Sequence, residues 1–352
     1  MPPRSNPKIT STAEFARYVG LARTTVSRVI NNQPGLRPET IARVHQAMAE
    51  VGFSPNPYAV YLLRGQTRTI GVCLRHMDAP ATYDKFFALQ QELHARGFKV
   101  IIEGTHQDFA NTERILRHFM IMRVEAVVML GGFEPDQIDA TINLLKPQAV
   151  PVVFADQFVY PGQHTLLLDR SHAMEELVVH LHGLGHRQIG LLGIRLNFLF
   201  NDSRVRGIQR GLERCKLDFE SNIILVPAQP KGSRSYAFGR QLAERYLELP
   251  VLPTAFLALN DEVAIGAMWR FQEAGLSIPE HISITGFNNL EIASHVNPAL
   301  TSVDHRGATV MASLADMIVR ILSQPKKRAL HQVLLPEVVY RQSTGPAPEK
   351  RK

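Results

Sequence analysis

The sequence predicts an all-α N-terminal headpiece followed by an α/β core of parallel sheets divided into two subdomains. Three observations predict it. The first 64 residues carry helical periodicity and helix punctuation only. From Thr69 onward, short β-branched runs alternate with helical patterns, as parallel sheets covered by helices on both faces require. That alternation pauses and restarts near residues 165–170, so the core reads as two similar halves with a cleft between them.

In the headpiece, Ser11 and Glu14 form a capping box that starts a first helix. Phe15, Ala16 and Val19 make its inward face, and Gly20 ends it as a left-handed C-cap. A second helix follows at once, over about Arg23–Asn31, with Val26, Val29 and Ile30 at i, i+3, i+4 spacing. Two helices joined by so short a turn form a helix-turn-helix, whose second helix enters the major groove of duplex DNA. Arg23 and Thr24 lie in its first turn, where base edges are reached, and Arg28 is four residues beyond Thr24. An Arg on guanine gives about 1–3 kcal/mol of discrimination. Ser27 and Asn31 suit phosphates. A solvated helix face is the other reading of Arg23 and Arg28. A third helix starts at Pro38, carries Ile41, Val44, Met48 and Val51 on one stripe, and closes at Gly52.

Asn56 as N-cap and Pro57 at the first helical position then predict a short hinge helix to about Arg64. A helix of that length is marginal alone. It should order only against DNA and a second copy of itself, unless the segment is an ordinary linker. Charge agrees with a nucleic-acid partner. Residues 1–64 hold eight Lys/Arg and three Glu, and so five of the seven net positive charges of the 352-residue chain.

In the core, TIGVCL, KVIIEG, AVVML, PVVFAD and TLLLD read as strands of the first half. QIGLLG, NIILV, AFLAL and ISITGF read as strands of the second, with helices predicted at 171–184, 203–215, 233–247 and 261–274. In open α/β sheets ligands sit at the carboxyl ends of the strands. The polar residues there are Arg75, Asp78, Asp156, Arg195, Asn197, Asn260-Asp261 and Asn288-Asn289. They suit a small polar ligand but form no catalytic set, and no glycine-rich nucleotide loop, nucleophile elbow or His pair at metal spacing occurs. No cofactor, metal or enzymatic activity is therefore expected. His164, His172, His180, His182 and His186 read as surface or core histidines. Cys73 and Cys215 read as free thiols of a reducing cytosol. The N-terminus lacks the apolar run of a signal peptide, and no stretch approaches the ~20 apolar residues of a membrane helix, so a cytoplasmic protein is expected. On the predicted helix 261–274, Ile265 and Trp269 form a second apolar stripe that would suit a dimer interface.

Specific residues carry a resemblance. Ala16, Gly20, Thr25-Val26-Ser27-Arg28-Val29 with Asn31, Glu39-Thr40, Val44, and Pro55-Asn56 with Ala59 and Leu62 resemble the headpiece of the lactose/galactose repressor family. In the core the matching residues are Thr69-Ile70-Gly71-Val72, Gly185-His186-Arg187 with Ile189-Gly190, and Arg204 with Gly207. Further along come Asn260-Asp261 with Ala264 and Gly266-Ala267, Ile278-Pro279, Ile282-Ser283, Gly286-Phe287 and Pro298-Ala299-Leu300-Thr301. These resemble the family's effector domain, which is periplasmic-binding-protein-like. The similarity runs over about residues 9–345.

The resemblance implies a dimeric, ligand-controlled transcription regulator, most often a repressor, on a pseudo-palindromic double-stranded DNA operator. Arg23 and Thr24 would set sequence preference, with Arg28 as a further base contact. Asn56, Ala59 and Leu62 would belong to hinge helices paired in the minor groove, where Leu62 wedges between base pairs. Asp156, Arg204, Asn260 and Asn288 would bind the effector. Three departures stand out. Ala22 replaces a capping Ser or Thr. Ala79-Pro80-Ala81-Thr82 replaces an Asn-Pro-Phe-Phe run, which removes an aromatic platform for a sugar ring. Asn288 replaces an Asp, and with Arg75, Arg195 and Arg204 nearby this tilts the effector from a neutral sugar toward a sugar acid or sugar phosphate.

The expected domains are a helix-turn-helix domain at 1–54, a hinge helix and linker at 55–67, and an effector-binding and dimerisation domain at 68–345. Within the last, the first subdomain is expected at 68–166 plus 300–328 and the second at 167–297 plus 329–345, with a disordered tail at 346–352. A sugar-binding transport protein and an α/β enzyme with an accessory DNA module are the rival classes. The missing signal peptide and the headpiece argue against the first, and the missing catalytic set argues against the second.

Overall fold

The computed structural model describes residues 9–31, 33–54, 67–75, 80–105, 108–156, 159–196, 202–226, 235–324 and 328–349. The chain divides into two compact units, Met1–Arg68 and Thr69–Lys352.

Among the described residues the first unit holds three helices, α1 (Thr12–Val19), α2 (Arg23–Ile30) and α3 (Pro38–Val51). The expected punctuation is present. Ser11 and Glu14 form the capping box, and Gly20 closes α1 at φ 67°. A Cβ makes that backbone conformation unfavourable. Phe15, Ala16, Val19, Val26, Val29, Val44, Ala47 and Phe53 form the core. The rings of Phe15 and Phe53 stack with centroids 4.5 Å apart. Arg43 of α3 donates to the Val19 carbonyl at 2.5 Å and so caps the end of α1 from outside. The predicted hinge helix, with Asn56, Ala59 and Leu62, lies outside the described residues.

In the second unit, β1 (Thr69–Leu74), α4 (Pro80–Ala95), β2 (Lys99–Gly104), α5 (Phe109–Ile121), β3 (Ala126–Leu130), α6 (Pro135–Leu145), β4 (Val152–Ala155) and β5 (His164–Leu168) come first. Then follow α7 (Ser171–Gly183), β6 (Ile189–Leu192), α8 (Asp202–Arg214), α9 (Phe219–Asn222), β7 (Ile223–Ile224), α10 (Tyr236–Leu247), β8 (Ala255–Ala258), α11 (Asp261–Glu273) and β9 (Ser283–Phe287). The chain ends with β10 (Thr301–Asp304), α12 (Gly307–Ser323), β11 (His331–Leu334) and β12 (Glu337–Val339).

One sheet has the order β11-β5-β4-β3-β1-β2 and the other β12-β10-β9-β8-β6-β7. Among the described residues all pairings are parallel except β10 with β12. Each sheet has an apolar cluster on both faces, which is why β1, β3 and β4 are buried along their whole length. In each half the order reverses beside its first strand, β1 or β6. The crevice that holds ligands in such sheets therefore falls at the carboxyl ends on both sides. Close helix contacts fix this frame. A Cβ on Gly207 of α8 would lie 2.2 Å from the Ser171 carbonyl oxygen of α7.

The halves exchange strands differently from the expected boundaries. β10 pairs with β9 in the second sheet, so residues 301–304 do not belong to the first subdomain. α12 returns to pack with α4 in the first half. β11 then pairs with β5, which places 331–334 in the first sheet rather than the second. The chain thus crosses between halves at 169–170, 305–306 and 335–336. The tail was expected to be disordered on composition, but residues to 349 are described. Ala347 N donates to the Leu184 carbonyl at 2.7 Å, and the Gly345 carbonyl accepts from Ser283 Oγ at 3.1 Å. Among the described residues no helix is long and apolar enough to cross a membrane.

Candidate DNA-reading face and ligand cleft

On α2, the buried stripe of Val26 and Val29 turns the opposite side outward. Arg23 and Thr24 are exposed in its first turn, and Ser27 is half-buried. Arg28 is exposed, with Nη2 donating to the Pro34 carbonyl at 2.8 Å. Asn31 closes the helix, and its Nδ2 donates back to the Ser27 carbonyl at 2.8 Å. These two side chains are thus also tied to the module's own backbone. The N-cap is Ala22, with no side-chain hydrogen bond, so no hydroxyl competes for the free N–H groups at the start of α2.

In the core, the expected ligand residues fall at strand ends but do not all converge. Arg75 follows β1 and is buried. Its guanidinium donates to the Gly132 carbonyl, lies 4.0 Å from Glu134 and 5.9 Å from the centre of the Phe133 ring. It is held by the loop after β3. Asn260 is buried as the N-cap of α11, where its Oδ1 accepts from Val263 N at 2.9 Å. Arg195 is half-buried after β6. Asp78 and Asn197 lie outside the described residues.

Asp156, Arg204 and Asn288 do converge, together with three residues that the sequence pattern did not single out: Lys85, Arg170 and His305. Lys85 Nζ lies 3.0 Å from Asp156 Oδ2, and Arg170 donates to Asp156 Oδ1. The side chains of Lys85, Asp156 and Arg170 are 12%, 17% and 12% exposed. Burial alone would raise the Asp156 carboxyl, but Arg170 and Lys85 outweigh it and hold the group well below the usual carboxylate range. Burial lowers the Lys85 ammonium from its ordinary value against the pull of Asp156.

From the other half, Asn288, at φ 108°, places Oδ1 2.6 Å from His305 Nε2. Arg204 lies over the Phe287 ring, 4.3 Å from its centre, and His305 meets Phe287 edge-on at 5.0 Å. Burial, then Lys85 and Arg170, push the His305 ring well below its ordinary value, so it is neutral near pH 7. With Nε2 donating to Asn288, its Nδ1 is an acceptor, buried and with no hydrogen-bond partner among the described residues. Arg170 Nε is a donor in the same condition.

The missed residues had local signals. Arg170 and His305 follow β5 and β10 at strand ends, where the rule that found Asp156 also applies. Lys85 stands four and eight residues before the buried Leu89 and Leu93, so it is a charge on the apolar stripe of α4. One expected site is corrected. Ile265 is fully buried in the core of the second half and offers nothing to a partner, because α11 is covered on both sides. Trp269 is 44% exposed and stacks on Tyr236 at 5.5 Å.

Comparison with known proteins agrees with both regions. Residues 13–56 match the family described as bacterial regulatory proteins, lacI family, and residues 178–344 match the periplasmic binding protein-like domain. Catabolite control protein A of Priestia megaterium is 26% identical over 333 residues, covering 94% of this chain and 98% of that protein. The HTH-type transcriptional repressor PurR of Aliivibrio salmonicida is 26% identical over 332 residues, covering 94% and 97%. The Lac repressor dimer bound to operator and the anti-inducer ONPF superposes with a TM-score of 0.87 at 24% identity, over 96% of this chain and 100% of that one. A helix-turn-helix unit with an outward-facing second helix, joined to a periplasmic-binding-protein-like core over nearly the full length of both curated relatives, places the chain in the lacI family of bacterial regulatory proteins.

Proposed function

We propose that this protein binds a pseudo-palindromic double-stranded DNA operator as a homodimer and represses transcription there. In this reading a small polar effector, a sugar, sugar acid or sugar phosphate, controls it from the cleft. The observation that carries the DNA-binding part is the first turn of α2. Arg23 and Thr24 stand exposed on a module with its own core, at the end of a recognition helix that reaches base edges. Two such modules need two half-sites and two-fold symmetry. The likeness to a repressor solved as a dimer on operator supports that symmetry.

Arg23, Thr24 and Arg28 read bases, while Ser27 and Asn31 hold phosphates. The hinge segment at 55–67, through Asn56, Ala59 and Leu62, orders on DNA. Trp269 meets the second copy. Effector binding changes how the two core halves sit and thereby whether the hinge orders. The protein needs no cofactor, catalyses no reaction and works in the cytoplasm, where its DNA is.

Footprinting with the full chain tests this. A protected pseudo-palindrome is expected, with Arg23→Ala losing about 1–3 kcal/mol of affinity for that site and little for random DNA. Absence of any protected site, with and without candidate sugars, sinks the reading.

A further inference from the structure

The cleft carries an internal ion cluster in the position where a ligand is expected. Two cations, Lys85 and Arg170, hold one carboxylate, Asp156, and a third, Arg204, acts with them on the neutral ring of His305. Both Asp156 oxygens are taken, one by Lys85 and one by Arg170. The Asp156 carboxylate thus already sits in a receptor for an acid group. Beside it, a buried donor, Arg170 Nε, and a buried acceptor, His305 Nδ1, lack partners among the described residues. The Phe287 face that could have stacked on a sugar ring is covered by Arg204.

We propose that the effector is a hydroxylated organic anion, a carboxylate or phosphate monoester, that displaces Asp156 from Lys85 and Arg170 and donates a hydroxyl to His305 Nδ1. This rests on the reading of the cleft as an effector site. Asp156 then acts as a resident stand-in for the ligand. It keeps two buried cations paired in the free protein and leaves them when the ligand's acid group arrives. A neutral sugar has no group that can replace it, because removing Asp156 would leave buried charge uncompensated. The chemistry also fixes the sign of one substitution. If Asp156 gripped ligand hydroxyls directly, its loss would weaken binding. As a competitor for the same cations, its loss strengthens anion binding.

The test uses the full chain with calorimetry and thermal shift, and four probes: glucose, gluconate, glucose 6-phosphate and inorganic phosphate. Binding of gluconate or glucose 6-phosphate at least tenfold tighter than glucose is expected. Which of the two wins tells whether the acid is a carboxylate or a phosphate. Asp156→Asn should lower the melting temperature, recover it with anion present, inorganic phosphate included, and bind the preferred probe several-fold tighter. Lys85→Met should weaken that probe at least tenfold, while Lys85→Arg, which keeps the charge, should retain binding. Glucose binding as tightly as the anions, weaker anion binding by Asp156→Asn, or no anion response in either form overturns the proposal. Operator footprints of the same samples without ligand separate the two failures. A protected operator with failed anion arms removes this inference alone, whereas loss of the footprint in the unsubstituted protein removes the regulator reading beneath it.

Discussion

The reading helix of the headpiece and the cleft of the core meet opposite demands. On α2, Arg23 and Thr24 stand exposed, satisfied by water until a large charged partner replaces it. In the cleft, Asp156 is held by Lys85 and Arg170, and Asn288 by His305. A buried polar group left without a partner costs about 1–3 kcal/mol, more for a charge. A surface site can therefore wait empty, whereas a buried site has to fold around substitutes for its ligand. The difference teaches that binding at the headpiece is an addition, and binding in the cleft is an exchange.

The largest expected effect separates the two regions outright. Phe15 is fully buried in a small core, with eight buried residues among those described. Phe15→Ala should cost the headpiece about 3–5 kcal/mol, close to the whole stability of so small a unit. Scanning calorimetry should show the headpiece transition lost and the core transition unmoved. A matching fall in the core transition would break the view of two separate units.

The next effect concerns a carboxyl on the core side. Asp261 is buried, accepts from Ser302 Oγ at 2.6 Å and Leu290 N at 2.7 Å, and is raised to about 7, by burial first. The folded protein then holds a proton that the unfolded chain releases near its ordinary value of 3.8. Stability from this group is full below about pH 4 and falls as pH rises to about 7. The loss is a few kcal/mol, since each pH unit between the two values weakens the fold by roughly 1.4 kcal/mol. Core melting measured between pH 5 and 8 should slope downward, and Asp261→Asn should flatten it. The same slope in the variant would show that this buried carboxyl folds ionised.

The smallest effect sharpens the headpiece side. Ala22→Ser supplies the missing cap of α2 and should add about 0.5–1 kcal/mol to headpiece stability, read from its unfolding midpoint. No gain would mean that water already satisfies those N–H groups fully.

Legibility in the sequence followed the range of the interactions. Ser11 with Glu14, the Gly20 turn and the Phe15, Ala16 and Val19 face are decided within one or two helical turns, and all were readable. So were the runs that form β1 to β9, whereas β10, β11 and β12 were not read as strands. The ion cluster was not readable, because Lys85 and Asp156 are 71 positions apart and nothing local pairs them. Residues 301–304 went to the wrong half for the same reason, since only the pairing of β10 with β9 decides where they belong. Ile265 failed differently. Its spacing with Trp269 was read correctly as a stripe, but periodicity does not say whether a second apolar stripe faces solvent or more core. The tail failed on composition, which weighs polarity and misses the backbone bonds made by Gly345 and Ala347.

Arg170 and His305 sit on two of the three segments where the chain passes from one half of the core to the other. Any rotation of one half against the other turns about those segments, so a group that grips there works at the fulcrum and not at the jaws. Displacement grows with distance from a fulcrum. The rotation proposed to accompany effector binding would therefore be largest toward the amino ends of the strands. There β1 begins, directly after the last residue of the unit that carries the reading helix.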